Sequence, residues 1–259
     1  MQSQLSICHR VVLVLMVTGI LPILSMAHPG SGIAVDRLGQ VYFLDTGSGL
    51  WKIDEQGGLT QLSGLKNHWL ALDPNNGFAG GRLPTDPMGD WVITRVGVNP
   101  TLLISTDFPI AVGQDGNLYY PSGRPGHLQL MRATPSGATS VFATLPLTVT
   151  GQPLPYIGGL IGGPDGSLYY TEDSAIKRIT PQGRIGTAVT IRAPARAPSV
   201  PATDQHPYLR GLAVDARGVM YVADTGDTRV LKDNCHRRDN NSPRNSNSVV
   251  ADRGCCFRQ

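Results

Sequence analysis

Between residues 28 and 232 the chain has no cysteine; Cys8 lies near the start, and Cys235, Cys255 and Cys256 lie in the last stretch. A disulfide scaffold and a cysteine-ligated zinc site are thereby excluded from the middle of the chain. That middle also lacks net charge. The chain carries 22 Lys+Arg against 19 Asp+Glu, but residues 1–27 contribute only Arg10, and residues 233–259 hold five Arg and three Asp. Residues 28–232 are left with 16 charges of each sign. A neutral body offers no basic face to nucleic acid. Missing too are a nucleophile elbow, a Walker loop, a dinucleotide fingerprint and an HExxH pair. What remains is 41% hydrophobic, enough for a sizeable core, and rich in turn formers, with 31 Gly and 20 Pro.

The two ends differ from the middle. His9-Arg10 precedes fourteen uncharged residues, Val11 to Leu24, and then Ser25-Met26-Ala27. This is the pattern of a secretory signal cleaved near Ala27, and the apolar run is short of the ~20 residues of a membrane span. A secreted or periplasmic protein is expected, without stable membrane insertion once the signal is removed. From 233 to 259 the alternation of apolar and polar residues stops. That stretch is expected to be a disordered or frame-altered tail; its Cys and His fit no zinc spacing.

A repeat organises the middle. Four segments align without gaps: Gly32 to Asp45, Pro109 to Ser122, Gly159 to Glu172 and Gly211 to Asp224. Each reads as a short apolar strand, a turn with Gly39, Gly116, Gly166 or Gly218, and a second strand bearing Tyr42, Tyr119, Tyr169 or Tyr221. Glycine at such a turn predicts a positive φ. Two copies run on into third and fourth strands, 50–54 with 59–62 and 128–132 with 140–143; another has a third strand at 176–179 and resumes at Ile185. A hidden copy fits the long first interval, with 69–73 as its first strand, 91–95 as its third and 101–105 as its fourth, around a Gly/Pro-rich insertion from Pro74 to Gly89. The last copy stops at its third strand, Thr228 to Lys232.

Four-stranded antiparallel units at this period predict an all-β chain folded as a β-propeller. Five blades are readable between residues 32 and 232, which suggests a six-bladed parent whose last blade is missing or degraded. The domain reading is a signal at 1–27, the propeller at 28–232 and the tail at 233–259. An unclosed ring exposes two blade faces, at a cost on the order of 10 kcal/mol.

Gly211 to Asp215, with Gly218, Tyr221 to Gly226 and Arg229 to Leu231, resembles the NHL repeat. Over about 200 residues the chain is similar to the six-bladed superfamily of gluconolactonases, senescence-marker proteins and strictosidine-synthase-like proteins. Gly163 to Glu172, with Arg178 to Gly183, also resembles a blade of streptogramin lyases. The enzymes of that superfamily hold a divalent cation with acceptors just before the inner strands. The corresponding positions here are Ser31, Phe108, Gly158 and Arg210, a poor ligand set for Ca²⁺ or Mg²⁺. No metal ligand and no catalytic residue is therefore assigned, and a divalent cation remains only an implication of the resemblance.

Asp45, Ser122, Glu172 and Asp224 occupy equivalent positions at the end of the second strand. They read either as an acidic cluster for a cation or polar ligand, or as turn residues accepting local N–H bonds. His206 and Arg210 can reach the same end of the propeller, and His68 reads as a stacking or capping residue. Trp51, Trp69 and Trp91 read as blade packing. The candidate ligand-binding residues are Asp45, Glu172, Asp224, His206 and Arg210. The expected role is an NHL-type binding or scaffold module with a small molecule or protein on its loop face. The competing role is a gluconolactonase-like hydrolase or streptogramin-lyase-like lyase.

Overall fold

The turns explain how the strands arise. Gly39, Gly116, Gly166 and Gly218 have φ of 82°, 73°, 75° and 81° in the computed structural model, the left-handed region that side chains resist. An aspartate fastens each turn. Asp36 Oδ1 accepts the N–H groups of Leu38 and Gln40, and Asp215 Oδ1 those of Arg217 and Val219. Asp115 and Asp165 stand two places later in their turns and accept the N–H of Asn117 and Ser167. The carboxylate thus satisfies donors that the tight turn leaves without a ladder partner.

The structure describes residues 32–86, 91–97, 99–124, 127–146, 157–191, 209–215, 217–224 and 229–233. Among them are eighteen strands and no helix. The first blade is β1 (Ile33–Val35), β2 (Val41–Asp45), β3 (Gly49–Ile53) and β4 (Leu59–Ser63), paired in that order. The second contains β5 (Trp69–Asp73), β6 (Ile93–Val96) and β7 (Thr101–Ser105). The third is β8 (Ala111–Val112), β9 (Leu118–Arg124), β10 (His127–Ala133) and β11 (Thr139–Leu145). The fourth is β12 (Leu160–Gly162), β13 (Leu168–Glu172), β14 (Ala175–Ile179) and β15 (Ile185–Thr190). The fifth is β16 (Leu209–Val214), β17 (Met220–Asp224) and β18 (Arg229–Asp233). All pairings are antiparallel, and the five sheets are the blades of a β-propeller. Three blades have four strands and two have three among the described residues.

The second blade departs from expectation. Thr101–Ser105 does not stand fourth: it pairs directly with Trp69–Asp73, and Ile93–Val96 lies outside it, in the order β5-β7-β6. The physical reason is side-chain character. Every residue of β7 is buried, which suits a position next to the inner strand, whereas β6 is buried only at Ile93. The Gly/Pro-rich insertion after Asp73 contributes to a core where it is described. Phe78 is fully buried between blades two and three, its N–H donates to Asp73 Oδ2 at 2.7 Å, and Arg82 N–H donates to the Pro135 carbonyl. The predicted fifth-blade third strand is present and reaches Asp233, one residue into the predicted tail. The predicted signal, residues 192–208 and the rest of the predicted tail lie outside the described residues.

The first strand of each sheet lies beside that of the next, in the series β1, β5, β8, β12, β16. Four apolar cores fill the spaces between successive blades. Tyr42, Leu44 and Leu50 meet Leu70, Leu102 and Ile104 between the first two. Trp69, Leu103 and Ile93 meet Ile110, Leu118 and Tyr120, with Trp91 packed beside Phe108 and Tyr120. Tyr119 and Leu130 meet Leu168 and Tyr170, and Tyr169 and Ile176 meet Met220 and Val222. Among the described residues no core joins the fifth blade to the first, and β16 makes no comparable packing with β1. Ile33 and Val35 on β1 are 64% and 57% exposed, and Val230 on β18 is 65% exposed.

Candidate functional site

The inner strands begin at one end of the propeller, and the second strands finish there. Backbone contacts fix this end between blades four and five. A Cβ on Gly158 would lie 2.3 Å from the Leu209 carbonyl oxygen, and one on Gly159 would lie 2.6 Å from that of Arg210. Thr171 Oγ1 donates to the Arg210 carbonyl at 3.4 Å. Glycine is required at 158 because two inner strands approach there with no room for a side chain.

Strand alternation then decides which way each candidate points. Leu168 and Tyr170 pack toward the third blade, so Glu172, two residues on, faces the same groove. Met220 and Val222 pack toward the fourth blade, and Asp224 follows them. Asp45 shares the outward face of the first blade with Val41 and Phe43. Glu172 and Asp224 therefore stand in successive grooves, and Asp45 on the outward face of the first blade. Among the described residues no three His, Cys, Asp or Glu side chains converge into a group that would hold a metal ion.

Each candidate has its own surroundings. Asp45 is exposed and serves its turn. Its Oδ1 accepts the Gly47 N–H at 2.9 Å, and Ser48 Oγ donates to Oδ2. The Ser48 bond first, then the Gly47 bond, hold this carboxyl below its usual range. Asp224 is 1% exposed at the end of β17. Arg210 is half-buried on β16, and its carbonyl ties blade five to Thr171. His206 lies outside the described residues. Ser122, the equivalent residue of the third blade, is half-buried opposite Gln129.

Glu172 has the most unusual position. It is 5% exposed, and its Oε2 accepts no hydrogen bond; Lys177 Nζ stands 3.6 Å away and donates to Thr187 Oγ1 at 3.1 Å. Tyr170 is 1% exposed and its hydroxyl also has no hydrogen-bond partner. Burial first, then the charge of Glu172, push the Tyr170 hydroxyl well above its usual pKa. Two buried polar atoms and an ammonium thus share one groove. A buried polar group without a partner costs about 1–3 kcal/mol, so such groups are rare and call for a physical reason.

Tyr170 and Lys177 were not among the candidates from the sequence. Tyr170 was legible as the residue two before Glu172 on one strand face. Lys177 was not, because it reaches the groove only through its register opposite Tyr170, across a turn in which Asp173 has φ of 50°. His68 occupies the corresponding end of blade two. Its Nδ1 lies 2.7 Å from the Thr106 carbonyl and donates to it, which caps that strand end.

No protein-family model matches the chain, and neither does any curated protein. Solved structures do. Virginiamycin B lyase from Staphylococcus aureus is 14% identical over 77% of this chain and 64% of its own, with a TM-score of 0.43. A gluconolactonase from Xanthomonas campestris is 15% identical over 78% of this chain and 57% of its own, at 0.34. The extracellular domain of BT4673 from B. thetaiotaomicron is 13% identical over 85% of this chain and 33% of its own, at 0.44. The chain thus spans less than two thirds of the length of these structures.

Proposed function

We propose that the chain is an exported NHL-type propeller module that binds a polar ligand at the strand-end face of blades three to five. The observation that carries this reading is the pair of buried atoms without hydrogen-bond partners, Tyr170 Oη and Glu172 Oε2, beside the Lys177 ammonium. A ligand hydroxyl or amide would satisfy both: it donates to the carboxylate and bonds the phenol, which can donate or accept. Asp224 and Arg210, in the neighbouring groove, are proposed to extend the contact surface; Asp45 on the first blade and His206 belong to the same expected face. The ligand is a small molecule or a protein segment, and nucleic acid is disfavoured by the balanced charge of residues 28–232.

A panel of polyols, sugars and peptides, screened by calorimetry against the protein and its Glu172→Gln variant, tests the proposal. The expected result is a ligand whose affinity falls at least tenfold in the variant while the melting temperature holds. Equal affinity in both would overturn it. The competing reading, a metal-dependent lactone hydrolase or a lyase, predicts stoichiometric Ca²⁺ or Mg²⁺ in the purified protein together with turnover. Export is tested separately: the mature chain recovered outside the cytoplasm should begin at His28.

A further inference from the structure

The insertion after Asp73 straps blade two to blade three. Phe78 is fully buried in the core between them. The Arg82 N–H donates to the Pro135 carbonyl at 3.0 Å, and Arg95 Nη2 donates to the Gly81 carbonyl. A Cβ on Gly81 would lie 2.8 Å from the Pro135 carbonyl oxygen, so the two backbones touch there. Hydrogen bonds also fix the way the strap leaves β5. The Asp73 carboxylate accepts the N–H groups of Asn75 and Phe78, the Asp73 carbonyl accepts that of Asn76, and the Asn76 carbonyl accepts that of Ala79. Asn76 stands at φ of 54°, a conformation that asparagine adopts more readily than most residues.

Within this network lies Asn76-Gly77, the one Asn-Gly pair in the sequence. The backbone nitrogen of the residue after an asparagine can attack its Cγ, and glycine there carries no side chain to shield that nitrogen. Asn67, Asn75 and Asn117 are followed by His68, Asn76 and Leu118, and Asn99 by Pro100, which has no N–H. Two further features single out this pair. Gly77 is exposed, and its N–H, unlike those of Asn75, Asn76 and Phe78, makes no hydrogen bond among the described residues. The Asn76 amide is polarised: its Oδ1 accepts the Thr101 N–H at 2.7 Å, and its Nδ2 donates to Asn99 Oδ1 at 3.4 Å. A donor on that oxygen stabilises the negative charge that develops there as Cγ is attacked.

We propose that Asn76-Gly77 is a self-modification site whose isoaspartyl product unfastens the strap from blade three. The Gly77 nitrogen loses its proton to solvent base and bonds to Asn76 Cγ; the Cγ–Nδ2 bond breaks and ammonia leaves. Water then opens the cyclic imide. Opening at Cγ gives aspartate on the original backbone. Opening at the backbone carbonyl gives isoaspartate, whose main chain runs through Cβ and Cγ. In either case one water enters and one ammonia departs. Aspartate keeps an acceptor for the Thr101 N–H and disturbs little. Isoaspartate adds a methylene to the main chain between Asp73 and Phe78. The Phe78 N–H bond to Asp73 Oδ2 at 2.7 Å and the fully buried Phe78 ring then cannot both keep their places, because a close-packed core offers the ring no second site.

The experiment incubates the full chain at mildly alkaline pH beside two variants, Gly77→Ala and Asn76→Asp, each checked by circular dichroism. Peptide mapping by mass spectrometry, with aspartyl and isoaspartyl forms separated, follows the conversion. The expected result is conversion at Asn76 about tenfold faster than at Asn67, Asn75, Asn99 or Asn117, and about tenfold slower in Gly77→Ala. Isoaspartate should exceed aspartate, and the incubated parent should melt below the fresh one. Asn76→Asp should melt with the fresh parent before and after the same incubation. If the Gly77→Ala Cβ, 3.1 Å from Pro135 Cγ, prevents folding, the parent and Asn76→Asp alone carry the comparison. An Asn76 that converts no faster than the other asparagines would overturn the proposal. So would a converted chain that melts like the fresh one, or an equal loss of melting temperature in incubated Asn76→Asp.

Discussion

Three tyrosines on the second strands reach back to the aspartate of their own turn. Tyr42 donates to Asp36 at 3.0 Å, Tyr119 to Asp115 at 2.6 Å and Tyr169 to Asp165 at 3.1 Å. The aspartate sits at the first turn position in blade one and two places later in blades three and four, yet it meets the same tyrosine. The pair thus couples the turn to the core, because the ring packs between blades while the hydroxyl holds the turn. Burial and then Asp36 push Tyr42 up to about 12, and burial and then the charge of Asp165 push Tyr169 up to about 12. A raised folded-state value means the stabilisation is fully present below the unfolded value of 10.0 and is lost as pH climbs through about 12. Absorbance at 295 nm should therefore show these tyrosinates forming only near that pH, together with unfolding. Tyr169→Phe should cost about 1 kcal/mol in urea unfolding, the net worth of one hydrogen bond; Asp165 keeps its Arg178 pair at 2.7 Å.

At the scale of the element, the turns and the order of strands behave differently. A hairpin closed by Gly116 or Gly166 is specified locally, so the sequence alone places it. A Cβ added at Gly116 would meet no atom within 4 Å, so Gly116→Ala meets only the cost of its φ, about 1 kcal/mol. Gly49 combines φ of 112° with a Cβ position 2.2 Å from the Ser63 carbonyl, and Gly49→Ala must push β4 away from β3. Chemical denaturation of the two variants should show Gly49→Ala losing several times more stability. In blade two the local signals do not suffice. Both β6 and β7 are apolar strands that could take either place beside β5. The choice falls to β7, whose five residues can all be buried, and it required the neighbouring blades to be present.

At the scale of the whole molecule, the five blades share four cores among the described residues, which cover the middle blades on both faces and the end blades on one. Stability in such a linear array is close to a sum over units and their interfaces. Hydrogen exchange should accordingly find the slowest amides in β9, β10 and β13, and faster ones in β1 and β18, which line the open sides. Uniform protection across all five blades would contradict this picture. Leu50→Ala, at a fully buried position between blades one and two, should cost about 2–5 kcal/mol and release blade one first.

The sequence by itself determined the blade: its turns, the alternation along each strand, the recurring Tyr, and the all-β class. These depend on residues within a few places of one another, where steric limits on φ and the two-residue side-chain period act directly. It also located Glu172 at a strand end. Tertiary structure decided the rest, because the deciding contacts run between blades. Alternation relative to the packed faces turned Glu172 and Asp224 into separate grooves and left Asp45 on the outward face of the first blade, and cross-strand register brought Lys177 to Glu172. Burial against blade three made Phe78 and its insertion part of a core. Which blade faces pack on a neighbour is likewise a property of the assembled blades, since the contacts that form each core come from two sheets.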